Sequence, residues 1–429
     1  DQLVQRRWPD VINVAVSNND VKGQISSDWM RIGLLPPNLE IESPYRILLP
    51  KGLENILVVG KAVSVARDAL PSIRMQPDLE NQGGAAGLAA AMAVRGGQNL
   101  RDIDVRALQE RLVRIGVLPE RILTRHLVPR RYSDSELEAL IDEMVADARP
   151  LHTYSKMELN EVFRGRIPLV EVCCAGPRVI PMLEKALGRT EGPGKVRLAQ
   201  TLALLRSPAG VPVLVSAIQQ QLAGDRLSER AGAIKHTDKY SPDQAAMPEA
   251  AYLIYALGLT RDRRALPVWQ RTVDLLASAS EEDVWSQAKG VFCYVDAVCC
   301  GAEQLADPAA VPMLKQLHGY APFHHQELLS GFQANYLKER PAYLEVVIGR
   351  ALARCGSPDG VVILINYLND VRALLAEQAH GELIAVSGQD FGKDAAAWSR
   401  WLEAAGEALR PVPWIAPAEL VAAWADMIY

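Results

Sequence analysis

This chain has little that would announce a reaction. Its 429 residues contain no H-E-x-x-H, no G-x-S-x-G and no Walker loop, which removes the common zinc-protease, hydrolase and P-loop signatures. No apolar run is long enough to span a bilayer. No block of Lys or Arg occurs and the formal net charge is −5, so no groove that tracks nucleic-acid phosphates is expected. The six cysteines, Cys173, Cys174, Cys293, Cys299, Cys300 and Cys355, show no C-x-x-C spacing and lie in apolar helical stretches. They read as small core thiols, and the lack of a disulfide framework leans towards a reducing compartment. Of the seven histidines, His324-His325 follows Pro322, and His236 sits in Lys235-His236-Thr237-Asp238. Both read as solvated loop positions, and no metal site is expected. There is no initiator Met; Asp1-Gln2-Leu3-Val4 reads as mid-domain, so a processed, split or partial chain is expected.

What is present is globular. Hydrophobic residues make up 49% and charged residues 23% of the chain, and this length predicts two or three domains. The first 120 residues differ from the rest. Val11 to Val16 alternates like a strand, and Asn55-Ile56-Leu57-Val58-Val59-Gly60 is a short apolar run closed by glycine, which predicts a strand buried on both faces. Gly83-Gly84-Ala85-Ala86-Gly87-Leu88-Ala89-Ala90-Ala91 predicts a glycine-opened helix from about Gly84 to Ala93, with free amides and a positive dipole end at Gly83 to Gly87. An amphipathic helix follows, capped by Asp104.

Residues 121–165 read as a helical connector, with Ser133-Asp134-Ser135-Glu136 as a capping sequence. From 166 to 429 a helix–tight turn–helix pattern recurs. Its copies centre on Ser207-Pro208-Ala209-Gly210-Val211, Arg264-Ala265-Leu266-Pro267, Asp307-Pro308-Ala309-Ala310-Val311 and Ser357-Pro358-Asp359-Gly360-Val361. Equivalent positions Val211, Ala265, Val311 and Val361 lie 54, 46 and 50 residues apart. One such hairpin cannot bury its own apolar face, so neighbours must stack, as in HEAT-like repeats. Trp398 and Trp401 then share one helix face and read as a cap on the array's core. Glu281-Glu282-Asp283 reads as a helix start. The expected fold is an α/β remnant followed by an all-α HEAT-like solenoid, mostly helical overall.

Three stretches carry a family resemblance. They are Pro44-Tyr45-Arg46-Ile47-Leu48-Leu49-Pro50-Lys51-Gly52-Leu53-Glu54-Asn55-Ile56-Leu57-Val58-Val59-Gly60-Lys61, Ala69-Leu70-Pro71-Ser72-Ile73-Arg74, and the small-residue segment from Gly83 to Ala91. In order and spacing they resemble the carboxyl-terminal part of an FAD-dependent oxidoreductase family of the glutathione-reductase-like flavoproteins. The resemblance covers a little over a quarter of the chain and implies FAD as cofactor. It would set Gly60, Lys61 and Ser64 near the pyrophosphate, and Gly83, Gly84, Ala85, Ala86 and Gly87 beside the ribityl chain and ring. Arg74 would lie near the ring or substrate, with Arg67 as a second catalytic candidate. Tyr45 and Arg46 read as packing residues at a strand entry. The chain departs from the family with Lys61 in place of Arg, Ala62 in place of Cys, Arg67 in place of His, and Gly83-Gly84 in place of Gly-Gln.

No G-x-G-x-x-G follows a strand, so the ADP-binding Rossmann unit is expected on a second chain or a cleaved amino-terminal half. Two functional readings follow. In the first, the chain is the distal half of an FAD-dependent oxidoreductase fused to an α-solenoid, moving hydride from a small-molecule substrate through flavin N5. In the second, it is a protein-binding HEAT scaffold with a vestigial flavin segment.

Overall fold

The computed structural model describes residues 6–17, 39–65, 69–127, 132–147, 167–229, 248–286, 289–331, 336–406 and 409–415. The chain divides into two compact units, Asp1–Met144 with Arg149–Ala175 and Val145–Ala148 with Gly176–Tyr429.

In the first unit, β1 (Val11–Ser17) pairs antiparallel with β2 (Leu39–Pro44), Ala15 facing Ile41 and Val14 facing Glu42. A short 3-10 turn, Tyr45–Leu48, closes the ribbon. Helix α1 (Gln76–Gly96) packs across β1, and Asn81 Nδ2 donates to Asn13 Oδ1 at 3.1 Å. Helix α2 (Val105–Arg114) is pinned to the same strand. Gln109 Nε2 donates to the carbonyls of Pro9 (2.8 Å) and Val11 (3.1 Å). Asp104 caps α2, accepting from the Ala107 amide at 3.0 Å, as its position predicted. The core gathers Val11, Ile12, Ala15, Leu48, Ala85, Ala89, Leu108 and Leu112.

Two local expectations are corrected here. The run 55–60 is not a buried strand. Leu53, Ile56 and Val59 are 51%, 47% and 42% exposed, and the run is tied to Leu48 O by the Val58 amide at 2.8 Å. A doubly buried strand needs ladder partners on both sides, and among the described residues the sheet has only β1 and β2. The small-residue helix does not open at Gly83 or Gly84 either. It begins at Gln76, behind an N-cap at Met75 and with Pro77 in its first turn, the position where a missing N–H costs nothing.

The second unit is built from helical hairpins. The pairs are α4 (Gly192–Leu204) with α5 (Val211–Gln221), α6 (Glu249–Leu259) with α7 (Leu266–Leu275), α8 (Val291–Leu305) with α9 (Val311–His318), and α10 (Tyr336–Arg354) with α11 (Pro358–Tyr367). Helix α3 (Asp134–Ala146), which falls almost wholly in the first unit, is begun by the expected capping box between Ser133 and Glu136. Helices α12 (Ala373–Ser387) and α13 (Ala395–Ala405) follow.

Each hairpin turns in the same way. A left-handed residue stops the first helix: Arg206 (φ 64°), Arg261 (φ 54°), Ala306 (φ 49°) and Gly356 (φ 84°). The next residue starts the second. Ser207, Asp262 and Asp307 accept from the amides of Ala209, Arg264 and Ala309, satisfying donors that a helix start leaves orphaned. The third residue after the cap must be small. A Cβ on Gly360 would lie 2.2 Å from Ala353 N and 2.5 Å from Gly349 O, so α10 and α11 touch backbone to backbone. Successive hairpins pack α6 on α8 and α8 on α10.

Buried polar groups hold this array together. Arg350 grips Glu303 with Nε at 2.5 Å and Nη2 at 3.0 Å, the Glu303 side chain being fully buried. Trp398 is fully buried and donates to Gly392 O at 2.8 Å, as the core-cap reading expects. All six cysteines are free thiols; Cys299, Cys300 and Cys355 are buried and Cys174 is exposed. Among the described residues no helix is long and apolar enough to cross a membrane. His236 lies outside the described residues.

Candidate functional site

Ahead of β1, Arg6-Arg7-Trp8-Pro9-Asp10 places two cations, an indole and a carboxylate within five residues. The β1–β2 ribbon returns Glu42 and Arg46 beside them. Arg46 grips Asp10 with its Nε at 2.9 Å and Nη2 at 2.7 Å, and its guanidinium lies 5.4 Å from the Trp8 ring centre. Arg6 lies over the same ring at 4.2 Å. Both distances allow cation–π attraction.

Behind this wall Glu42 is buried. It accepts from the Trp8 amide at 2.8 Å, from Arg125 Nη2 at 2.9 Å and from Arg7 Nη1 at 3.3 Å. A charge taken out of water must be paired in this way.

The wall bounds a cleft of about 390 Å³, whose far side is Ser64, Val65, Ala69 and Ile73. That is the lower end of ligand-pocket sizes, roughly 300–1,000 Å³. An aromatic plate, two guanidiniums and an apolar floor suit a flat, polar-edged molecule.

Of the residues expected at a flavin site, Ser64 lines this cleft, its amide donating to Ile47 O at 2.9 Å. Arg67 falls between the lining residues Val65 and Ala69 but lies outside the described residues. Gly60 and Lys61 open a 3-10 turn (Gly60–Ala62), Gly60 with φ +74° and Lys61 exposed, and neither lines the cleft. Arg74 is half-buried between the lining residue Ile73 and the start of α1. Tyr45 is a packing residue, as expected. It is 2% exposed and donates to Leu100 O at 2.9 Å, and burial, opposed by Arg101, pushes its hydroxyl up to about 12.

Gly83, Gly84, Ala85, Ala86 and Gly87 all lie inside α1. Each of their N–H groups is therefore committed to the carbonyl four residues back, and they cannot present bare amides. The free amides belong to the first turn, where Asp78 stands and hydrogen-bonds the Met75 backbone. Burial raises the Asp78 carboxyl pKa, against the lowering pull of Asn13 and Met75.

The glycines do leave surface bare. Ala85, Ala86 and Ala89 face the core, while Gly84, Gly87, Ala91 and Val94 form one exposed stripe. A Cβ added at Gly83, Gly84 or Gly87 would meet nothing within 4 Å. Packing among the described residues does not explain these glycines, and each costs a helix interior about 1 kcal/mol relative to alanine.

Sequence reading missed Trp8, Asp10, Glu42 and Arg125, and read Arg46 only as packing. The basic–aromatic cluster at Arg6 to Asp10 was the available signal.

The search of curated proteins and the search of solved structures each return no match. A family model described as FAD dependent oxidoreductase matches residues 1–112, which span the cleft walls, all of α1 and most of α2. The similarity to that family thus lies over the part of the chain that carries this site.

Proposed function

We propose that the chain is the distal half of an FAD-dependent oxidoreductase joined to an α-solenoid. Residues 1–120 are the flavin-facing part, 121–165 a connector and 166–429 a HEAT-like array. The family match over the cleft and α1 carries this reading, together with a glycine stripe that no neighbour among the described residues covers. The ring and ribityl chain lie along Gly84 and Gly87, which admit them by clearance. Arg74 flanks the ring or substrate, and Gly60, Lys61 and Ser64 lie towards the pyrophosphate. The ADP half is held by a Rossmann unit on a companion chain or a cleaved amino-terminal half. Bound there, FAD would supply two-electron chemistry, taking up a hydride from a substrate carbon at N5. The protein's own part is to hold the substrate against the ring, with Trp8 and Arg46 as wall, and to exclude water.

Flavin content tests this. Protein isolated from its own source, so that a companion chain is retained, should carry the visible flavin absorbance band. Gly87→Leu should remove that band and leave circular dichroism unchanged, because the new side chain has open space in the chain itself. A colourless native preparation, or a Gly87→Leu variant with full flavin content, would overturn the assignment.

One observation favours the second reading, a protein-binding scaffold with a vestigial flavin segment. The first turn of α1 is occupied by its own carboxylate, Asp78, where an anionic cofactor would want free amides. In that case the preparation is colourless, and Gly87→Leu binds its protein partner as the wild type does.

A further inference from the structure

We propose that His318, His324 and Glu345 bind a zinc ion in the second unit. The three residues come from separate places in the sequence. His318 ends α9, His324 follows the 3-10 turn Ala321–Phe323, and Glu345 lies within α10. Their ligand atoms all lie within 4.8 Å of one another. His318 Nε2 is 2.9 Å from Glu345 Oε1, and His324 Nδ1 is 3.4 Å from His318 Nε2. Zinc bonds of about 2.0–2.1 Å in a tetrahedron place neighbouring ligand atoms about 3.3 Å apart. Two of the three edges are thus near their bound lengths, and a rotation of the exposed His324 ring closes the third.

The carboxylate is held as a ligand should be. Glu345 is 3% exposed. Its Oε2 accepts from Tyr367 Oη and the Gln326 amide, both at 2.7 Å. Its Oε1 takes the His325 amide at 2.9 Å and faces His318. Such outer partners fix the orientation of metal-ligating groups. The loop is anchored too. Phe323 is fully buried, its amide donating to Tyr320 O at 2.9 Å, and His325 is held in a left-handed conformation at φ 55°.

Two neutral imidazoles and one carboxylate form a donor set that suits zinc and leaves a fourth position for water. His324 is exposed, so solvent reaches that position. The His325 ring lies tilted 3.9 Å from the His324 ring, but its Nδ1 turns to Glu327 at 3.6 Å.

The test is zinc titration of the full chain, stripped by dialysis against a chelator and read in competition with a chromophoric chelator. The wild type should take up one zinc at this site. His324→Ala changes an exposed residue and should bind at least ~100-fold more weakly, since even outer partners of metal ligands are worth about 10–100-fold. His325→Ala should bind as the wild type does. Cobalt(II) gives a second readout: a visible ligand-field band present in wild type and absent in His324→Ala. Equal zinc affinity in wild type and His324→Ala, a loss confined to His325→Ala, or no stoichiometric uptake by the wild type would each overturn the site.

Discussion

Replacing Gly84 and Gly87 by alanine should make the first unit more stable while costing it its cofactor. Both residues are interior to α1 and exposed, and a Cβ at either meets nothing within 4 Å. Alanine in a helix interior is favoured over glycine by about 0.8–1.0 kcal/mol, so the double variant should gain about 2 kcal/mol. For a unit of this size that is a rise in Tm of about 4–8 °C. Differential scanning calorimetry on the full chain reads this directly. The same two methyl groups stand where a flat ring would touch the helix backbone, so flavin content should fall in the preparation whose melting temperature rises. A drop in stability would mean that some neighbour already covers this face. A gain in stability with undiminished flavin would mean that the cofactor lies elsewhere, and either result would refute the argument from bare helix surface.

Two further outcomes follow from the second unit. Gly360→Ala drives a methyl group into the backbone at Ala353 N and Gly349 O and should cost about 3 kcal/mol, the upper part of the overpacking range, read as a lower urea midpoint. Burial, opposed by Arg350, pushes the Glu303 carboxyl up to about 7. Because the folded state then holds this proton more tightly than the unfolded chain does, its contribution is full below the ordinary carboxylate pKa of about 4.3 and is lost as pH rises through about 7. Urea unfolding across that window should show wild-type stability falling with pH relative to Glu303→Gln. Arg350→Met should cost about 3–5 kcal/mol above pH 7, where it leaves a buried carboxylate unpaired. A flat difference between wild type and Glu303→Gln would show that the carboxyl titrates normally.

Much of the fold was legible because its signals are local. Asp104, the Ser133–Glu136 box and the turns led by Ser207 and Asp307 are cap chemistry, which depends on residues within one turn of each other. The buried Trp398 followed from its place on the terminal helix face. What could not be read depends on neighbours distant in sequence. The apolar run at 55–60 looks like a core strand, but only the presence or absence of flanking strands decides its burial. In α1 the glycines resemble a helix opening, while the true start is marked by Pro77 and Asp78. The polar run Glu80-Asn81-Gln82 hides that continuity, because it interrupts the apolar period although Gln82 is buried and donates to Ile73 O. The cleft wall escaped notice because Trp8, Glu42 and Arg125 meet only after the ribbon has folded. His324 is exposed, as its loop position suggested, but its nearness to His318 and Glu345 escaped notice for the same reason: Glu345 is distant in sequence and lies one hydrogen-bond length from His318.

The recurring turn also ties one hairpin to the next. Arg206, held left-handed at the first turn, reaches past its own pair to donate to Leu259 O at 3.0 Å and Gln304 Oε1 at 2.6 Å, both at the ends of helices in later hairpins. A lesion at one corner is therefore felt at the next two. The helical array should melt as a zipper with correlated teeth, fraying from its ends and resisting loss of any single module from its middle.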